Sequence, residues 1–344
     1  MKKQTKIIIA LLVIVLLSVS LLSVFNSSAV QAHIGDAQAK AAEKAALDEN
    51  KVKNMSFGTV VKNLNRLREY QTDAADALVT ALTEKIKITP TDVITKEIKS
   101  KKNTDAVRRS IIIQCESNGI AIDRDILAEM LSDKKESIGM KVFLIGELSA
   151  EGGKYSRLIK EFLQSDSDTL WGKAMLEQVK SAPDNAKLIS DTVLEDFDGT
   201  ITRRYKTALE IKALLAAQSK KSEDYNNLIE LCKRTVSEAD NKDEAISAAT
   251  NALYYAPSIE TLKYVFGDGS PFGTEYKHPI AFENKEIIRD LFTQKANTET
   301  AALLSNIIGF TGDEYKDDVR RYIDGNSEFF NEHKELLSVF SSFV

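Results

Sequence analysis

The 344-residue chain is long enough for two ordinary domains or one extended repeat array, and its 5 prolines and 15 glycines are too few to punctuate a large β-protein. The formal charge of −5 is dispersed over 46 basic and 51 acidic residues, with no basic stripe of the kind a nucleic-acid partner requires. Abundant Ala, Leu, Lys and Glu point to an all-α fold.

Lys2, Lys3 and Lys6 precede an apolar run over 7–25 that is interrupted only by Ser18, Ser20 and Ser23. The pattern predicts an export signal. Its length is near the ~20 residues that span a bilayer, so an uncleaved anchor with the lysines inside is the rival reading. Residues 1–32 are assigned to this signal peptide or membrane anchor, with Val30 and Ala32 placed for cleavage and Ala37 and Ala39 as a second site. The remainder is expected to be extracytoplasmic, either secreted or held at the membrane. No cysteine stands nearby, which excludes a lipid-modified cysteine as the anchor. Residues 33–54, rich in Ala, Lys and Glu, read as a solvated helix or tether.

An N-terminal helical cap is expected over 55–103. Val60, Val61, Leu64 and Leu67 recur at helical spacing, Leu78, Leu82 and Ile86 follow, and Pro90 closes the pair. From 104 to 265 the chain divides into five blocks of roughly thirty residues, each two amphipathic helices. The first runs from Asp105 and Arg108 through Ile112 to Leu127 and Leu131. The second runs from Met140 through Leu144 and Leu148 to Ile159 and Leu163. The third contains Trp171, Ala174, Leu176, Val179, Leu188 and Leu194; Leu176 and Leu188 are expected to face a shared core. The fourth carries Arg203, Arg204, Ala208 and Leu228, and the fifth Ala245, Ala249, Leu253, Leu262 and Val265.

An apolar pair followed by a short acidic turn recurs as Leu131-Ser132-Asp133, Leu163-Gln164-Ser165-Asp166 and Leu194-Glu195-Asp196, and the next helix carries a basic residue and small alanines such as Ala174 and Ala208. In these features the chain resembles the HEAT and HEAT-like repeat family. The resemblance implies a right-handed superhelical α-solenoid of helix pairs with helical caps. It also implies a concave surface, formed by the second helices, that binds a protein or peptide. The exposed positions expected on those helices are Arg157, Lys160, Lys187, Glu230 and Lys233; an ordinary solvated face accounts for the same charges. One helix pair cannot bury its apolar face alone, so stacked neighbours are required.

The glycines and proline of 267–273 predict a loop, drawn here over 266–284. A C-terminal cap is expected over 285–344, with helices around 287–294, 300–308 and 317–323. Leu336, Leu337, Val339, Phe340 and Phe343 would dock back on the array.

Asp196-Phe197-Asp198-Gly199-Thr200 matches the nucleophile motif of the haloacid dehalogenase superfamily, and Asp313 and Asp317 could supply its Mg²⁺ site. In that family the nucleophile ends a buried parallel strand. Residues 190–195 are instead charged and helix-like, and Asp166 and Asp168 repeat the same acidic turn one block earlier. His33, His278 and His333 are scattered, and Cys115 and Cys232 have apolar neighbours in different blocks, so two buried free thiols are preferred to a disulfide. No metal or cofactor is expected. Asp240 to Glu244 reads as a helix cap, Trp171 as core, and Tyr254, Tyr255, Tyr264, Phe266, Phe272 and Tyr276 as loop packing with a contact site as runner-up. The functional expectation is a non-enzymatic extracytoplasmic interaction scaffold, with a phosphotransferase using Asp196 and Asp198, or a structural subunit of an envelope complex, as alternatives.

Overall fold

Many helix starts are written into the sequence as caps. Ser56, Thr72, Thr104, Asp123, Ser167, Thr202, Asn241 and Ser258 each accept a main-chain N–H two or three residues ahead. Each such cap satisfies a donor that the first helical turn leaves free, worth typically ~1 kcal/mol. The computed structural model describes residues 28–67, 69, 72–151 and 153–344; among them there is no strand, and the fold is all-α. The apolar run over 7–25 lies outside the described residues, and no described helix is long and apolar enough to cross a membrane. The chain divides into two compact units, 1–144 and 145–344, with the boundary inside the second predicted block.

In the first unit α1 (Ser28–Ala46) and α2 (Glu49–Asn54) precede α3 (Phe57–Leu64) and α4 (Asp73–Ile86). The tether expected over 33–54 is corrected here: α1 packs on α3 and α4, and Ala39, Ala42 and Ala46 are buried. Their spacing puts three small side chains on one helix face, where short side chains allow close approach. The predicted Val60, Val61, Leu64, Leu78, Leu82 and Ile86 are all core. Pro90 does not end the cap but opens another helix, α5 (Thr91–Lys99), which buries Ile94 and Ile98. Then come α6 (Asp105–Ser117) and α7 (Arg124–Ser132), the first predicted block, and the start of α8 (Ile138–Ser149). Buried Arg108 joins α5, α6 and the turn after α7. Its guanidinium donates to both Glu136 carboxylate oxygens at 2.8 and 2.6 Å and to the Ile98 carbonyl at 2.7 Å.

The second unit continues with α9 (Ser156–Glu161), α10 (Asp168–Ser181), α11 (Pro183–Glu195), α12 (Arg203–Ser219), α13 (Ser222–Glu238), α14 (Lys242–Tyr254) and α15 (Ile259–Phe266). These helices fall in the stretches where the sequence predicts helices. The loop drawn over 266–284 is too long: only 267–273 is irregular, and α16 (Thr274–Glu283) forms despite Pro279 within it. After α17 (Lys285–Phe292) come α18 (Thr298–Thr311), α19 (Lys316–Gly325), α20 (Ser327–Glu332) and α21 (Lys334–Ser341). The first helices pack in succession: α10 on α12, α12 on α14, α14 on α16, α16 on α18. One continuous apolar core runs from Leu194 in α11 to Phe340 in α21, and α10 contributes to a smaller one. Phe340 docks as expected, with Tyr322 and Phe330 around it, but Val339 is exposed.

Leu188 is also corrected. It is 66 % exposed, because α11 turns Ala186, Ser190 and Leu194 inward at a four-residue spacing and a residue two positions off that line points away. Leu176 packs against the smaller core of Trp171, Met175, Val179, Ala186 and Ile211.

Side chains from later helices cap the carbonyls at the ends of second helices. Arg204 donates to the Ser165 carbonyl at 2.7 Å and to Asp168 at 2.8 Å, Arg234 to the Leu194 carbonyl, Lys242 to the Val236 carbonyl at 3.0 Å, and Asn306 to the Phe266 carbonyl at 2.9 Å. A helix leaves its last carbonyls without internal partners, so these bonds both satisfy them and fix the register of one pair on another.

Candidate functional site

Between α11 and α13 runs a groove of about 680 Å³ whose floor is α12. Pro183, Asp184 and Lys187 form one wall, Asp224, Asn227, Glu230 and Arg234 the other, and Lys212, Leu215 and Ala216 the floor. The division follows from the pair geometry: α12 packs on both α11 and α13, so its outward residues lie between them. Lys212 is held by Asp191 at 2.7 Å. Arg234 spends one guanidinium nitrogen on the Leu194 carbonyl, while its buried Nε has no hydrogen-bond partner.

A second groove, of about 740 Å³, lies on the other side of α13. Its walls include Ile229 and Lys233 from α13, Lys263 and Tyr264 from α15, and the loop from Asp268 to Pro271. Lys233 bridges to Glu230 at 2.7 Å and stands 5.8 Å from the centre of the Tyr264 ring. Burial, with Cys232 and Glu230 nearby, pushes the Tyr264 hydroxyl up and keeps it neutral.

The structure thus brings Lys187 and Glu230 together on facing walls of one groove and places Lys233 in the next. Arg157 and Lys160 are exposed on α9 and line neither groove. Sequence reasoning missed Lys212 and Leu215, since the floor comes from a helix whose apolar pattern assigns it to the core, and it missed Arg234 on the α13 wall, whose bond to the Leu194 carbonyl has no local signal. Lys212, directly before the run of Ala and Leu over 213–217, was the available signal for the floor.

The aromatic group divides. Phe266 and Phe272 are core, with Tyr264 edge-on to Phe272 at 5.3 Å, whereas Tyr254 and Tyr255 are exposed. Trp171 is buried, with the Arg204 guanidinium 5.3 Å from its ring centre. Asn241 caps α14.

Asp196 is the C-cap of α11, not the end of a strand. Asp198 accepts the Thr200 N–H at 2.9 Å, and that bond holds its carboxyl below the usual range. Gly199 has φ +99°, and a Cβ there would meet the Asp240 carboxylate at 3.3 Å, so the turn itself requires glycine. Asp317 is exposed and pairs with Arg320 in its own helix; the side chain of Asp313 lies outside the described residues. Among the described residues no three His, Cys, Asp or Glu side chains gather to a metal-sized cluster. Cys115 and Cys232 are free and buried, and burial pushes their thiols up to about 11 and about 12. His278 is exposed on α16, and His333 stacks on Phe329 at 4.1 Å.

No protein-family model, curated protein or solved structure matches the chain.

Proposed function

We propose that this chain is a HEAT-like α-solenoid acting as an extracytoplasmic scaffold that holds a protein or peptide segment in the grooves between its second helices. The observation that carries the reading is the α11–α13 groove, where Lys187 and Glu230 oppose each other above Leu215 and Leu231. Apolar ground between opposite charges suits a polypeptide, which offers both kinds of group along its length. The succession of packed first helices supports the repeat reading, because such stacking is how helix pairs acquire a shared core. Lys2, Lys3, Lys6 and the apolar run after them support export. Asp196 at a helix end favours binding over phosphoryl transfer, which in the matching superfamily needs a strand beneath the nucleophile.

A photo-crosslinking residue placed at Lys187 or Asn227, in cells that make the protein naturally, tests the groove. Both positions are expected to give the same discrete adduct, and exposed Asn251 on first helix α14 to give none. Adducts from position 251 alone, or from no position, would remove the reading.

A further inference from the structure

A cavity of about 380 Å³ lies in the second unit, where the last turn of α10 meets the end of α8 and the start of α9. It is separate from the grooves above. Two of its lining side chains, Glu177 and Gln178, are more than nine-tenths buried. Buried polar atoms in proteins nearly always have hydrogen-bond partners, so those that do not point to a group the site is built to receive.

Glu177 Oε1 accepts from Lys173 at 2.6 Å. Its Oε2 is buried and accepts from nothing; the nearest cation there, Lys180 Nζ, is 3.7 Å away on a side chain that is 77 % exposed. Gln178 Oε1 is likewise buried without a donor. Of the surrounding hydroxyls, Ser149 stands beside the Glu177 carboxylate and helps to keep it charged, while its oxygen lies 2.8 Å from the Gly146 carbonyl; Ser156 donates to the Gly153 carbonyl at 2.8 Å and Ser181 to the Glu177 main-chain carbonyl at 3.1 Å. The cavity therefore holds two buried acceptor atoms without a hydrogen bond, Glu177 Oε2 and Gln178 Oε1, and a ligand that donates complements both.

Burial pushes the Glu177 carboxyl up, but the hydrogen bonds from Lys173 and Ser149, with the charges of Lys173 and Lys180, outweigh this and hold it below the usual range, so the acceptor is charged. A cationic donor with two N–H groups in one plane answers a carboxylate oxygen and an amide oxygen on adjacent residues. Leu148 and Ile159 supply apolar wall for its flat face. Lys180 is the only other charged residue lining the cavity among those described; it is 3.7 Å from Glu177 Oε2 on an exposed side chain, and an incoming cation replaces that ion pair with a hydrogen bond.

We propose that this cavity binds a guanidinium group, with Glu177 Oε2 and Gln178 Oε1 as the acceptors. The inference goes beyond the groove reading and stands without it. The group could arrive on an arginine side chain of a polypeptide or on a free small molecule. Titration of the purified protein with N-acetyl-arginine amide, free L-arginine and N-acetyl-citrulline amide, followed by NMR or calorimetry, separates these cases. Saturable binding is expected for an arginine probe, with the neutral citrulline isostere weaker by about tenfold or more, as loss of a charge-assisted hydrogen bond implies. Tighter binding of the blocked arginine assigns a polypeptide source and tighter binding of the free amino acid a metabolite; either supports the proposal. Glu177→Gln is expected to abolish binding. Because that change also disturbs Lys173, Gln178→Leu provides a second test that leaves the ion pair intact, and should weaken binding by about fivefold or more. Absence of saturation, equal affinity for citrulline, or indifference to Gln178→Leu in the folded protein overturns it.

Discussion

Arg108 and Glu136 show how one pairing can hold several segments of the first unit. Both are buried, and the guanidinium that grips Glu136 also caps the Ile98 carbonyl. Breaking a buried ion pair from one side leaves the other charge without compensation, so Glu136→Gln is expected to cost about 3–5 kcal/mol at pH 7. The pH dependence has a definite sign. Burial pushes the Glu136 carboxyl up, but Arg108 and the Ser137 N–H hold it below its ordinary value in the folded protein. Its contribution is therefore present above the unfolded pKa of about 4.3 and is lost as pH falls through the lowered folded value. Urea melts of wild type and Glu136→Gln at pH 7 and below pH 4 check this: the gap should narrow in acid, and a gap of constant size would contradict the account. Arg108 was legible in the sequence only as part of an expected helix. Glu136 was not, because a pairing across 28 residues is decided by how helices pack and leaves no local pattern.

At the level of single elements, periodicity found helices where large apolar side chains mark them and failed where they do not. Helix α5 has Asp92, Lys96, Glu97 and Lys99 around only two buried isoleucines, so its charge concealed it. Helix α16 follows the densest cluster of glycines and contains Pro279, which removes one main-chain donor; its buried Ile280 and Ala281 hold it in place against α14 and α18. Alanine gives a weak hydropathy signal yet packs closely, which is why docked α1 read as a tether. The same limit misplaced Leu188, whose size suggested burial although the inward line of α11 is Ala186, Ser190 and Leu194. Leu188→Ala is therefore expected to change stability by less than about 0.5 kcal/mol. Leu194→Ala, by contrast, should cost about 2–5 kcal/mol through lost burial and the cavity left behind. Denaturant melts of the two variants decide it, and comparable losses would mean that α11 is turned differently about its axis.

Over the described residues, composition and helical periodicity made the all-α fold and most of its helices readable, while the groove floor and the cavity beside Glu177 depended on which helices meet. The export expectation also belongs to this scale. Fractionation of cells making the native protein should place it at the membrane or outside, and recovery of soluble cytoplasmic protein with residues 1–32 intact would refute it. One further consequence comes from the bonds that Arg204, Arg234, Lys242 and Asn306 make to carbonyls of earlier elements. A main-chain carbonyl is the same group whatever side chain its residue carries. The carbonyls at 165, 194, 236 and 266 therefore remain available to their donors whatever side chains those residues carry, although Leu194 and Phe266 are held by the core as well. Helices held in this way keep their register through the backbone as well as through the core, so a change of side chain at an anchored position loosens only one of the two.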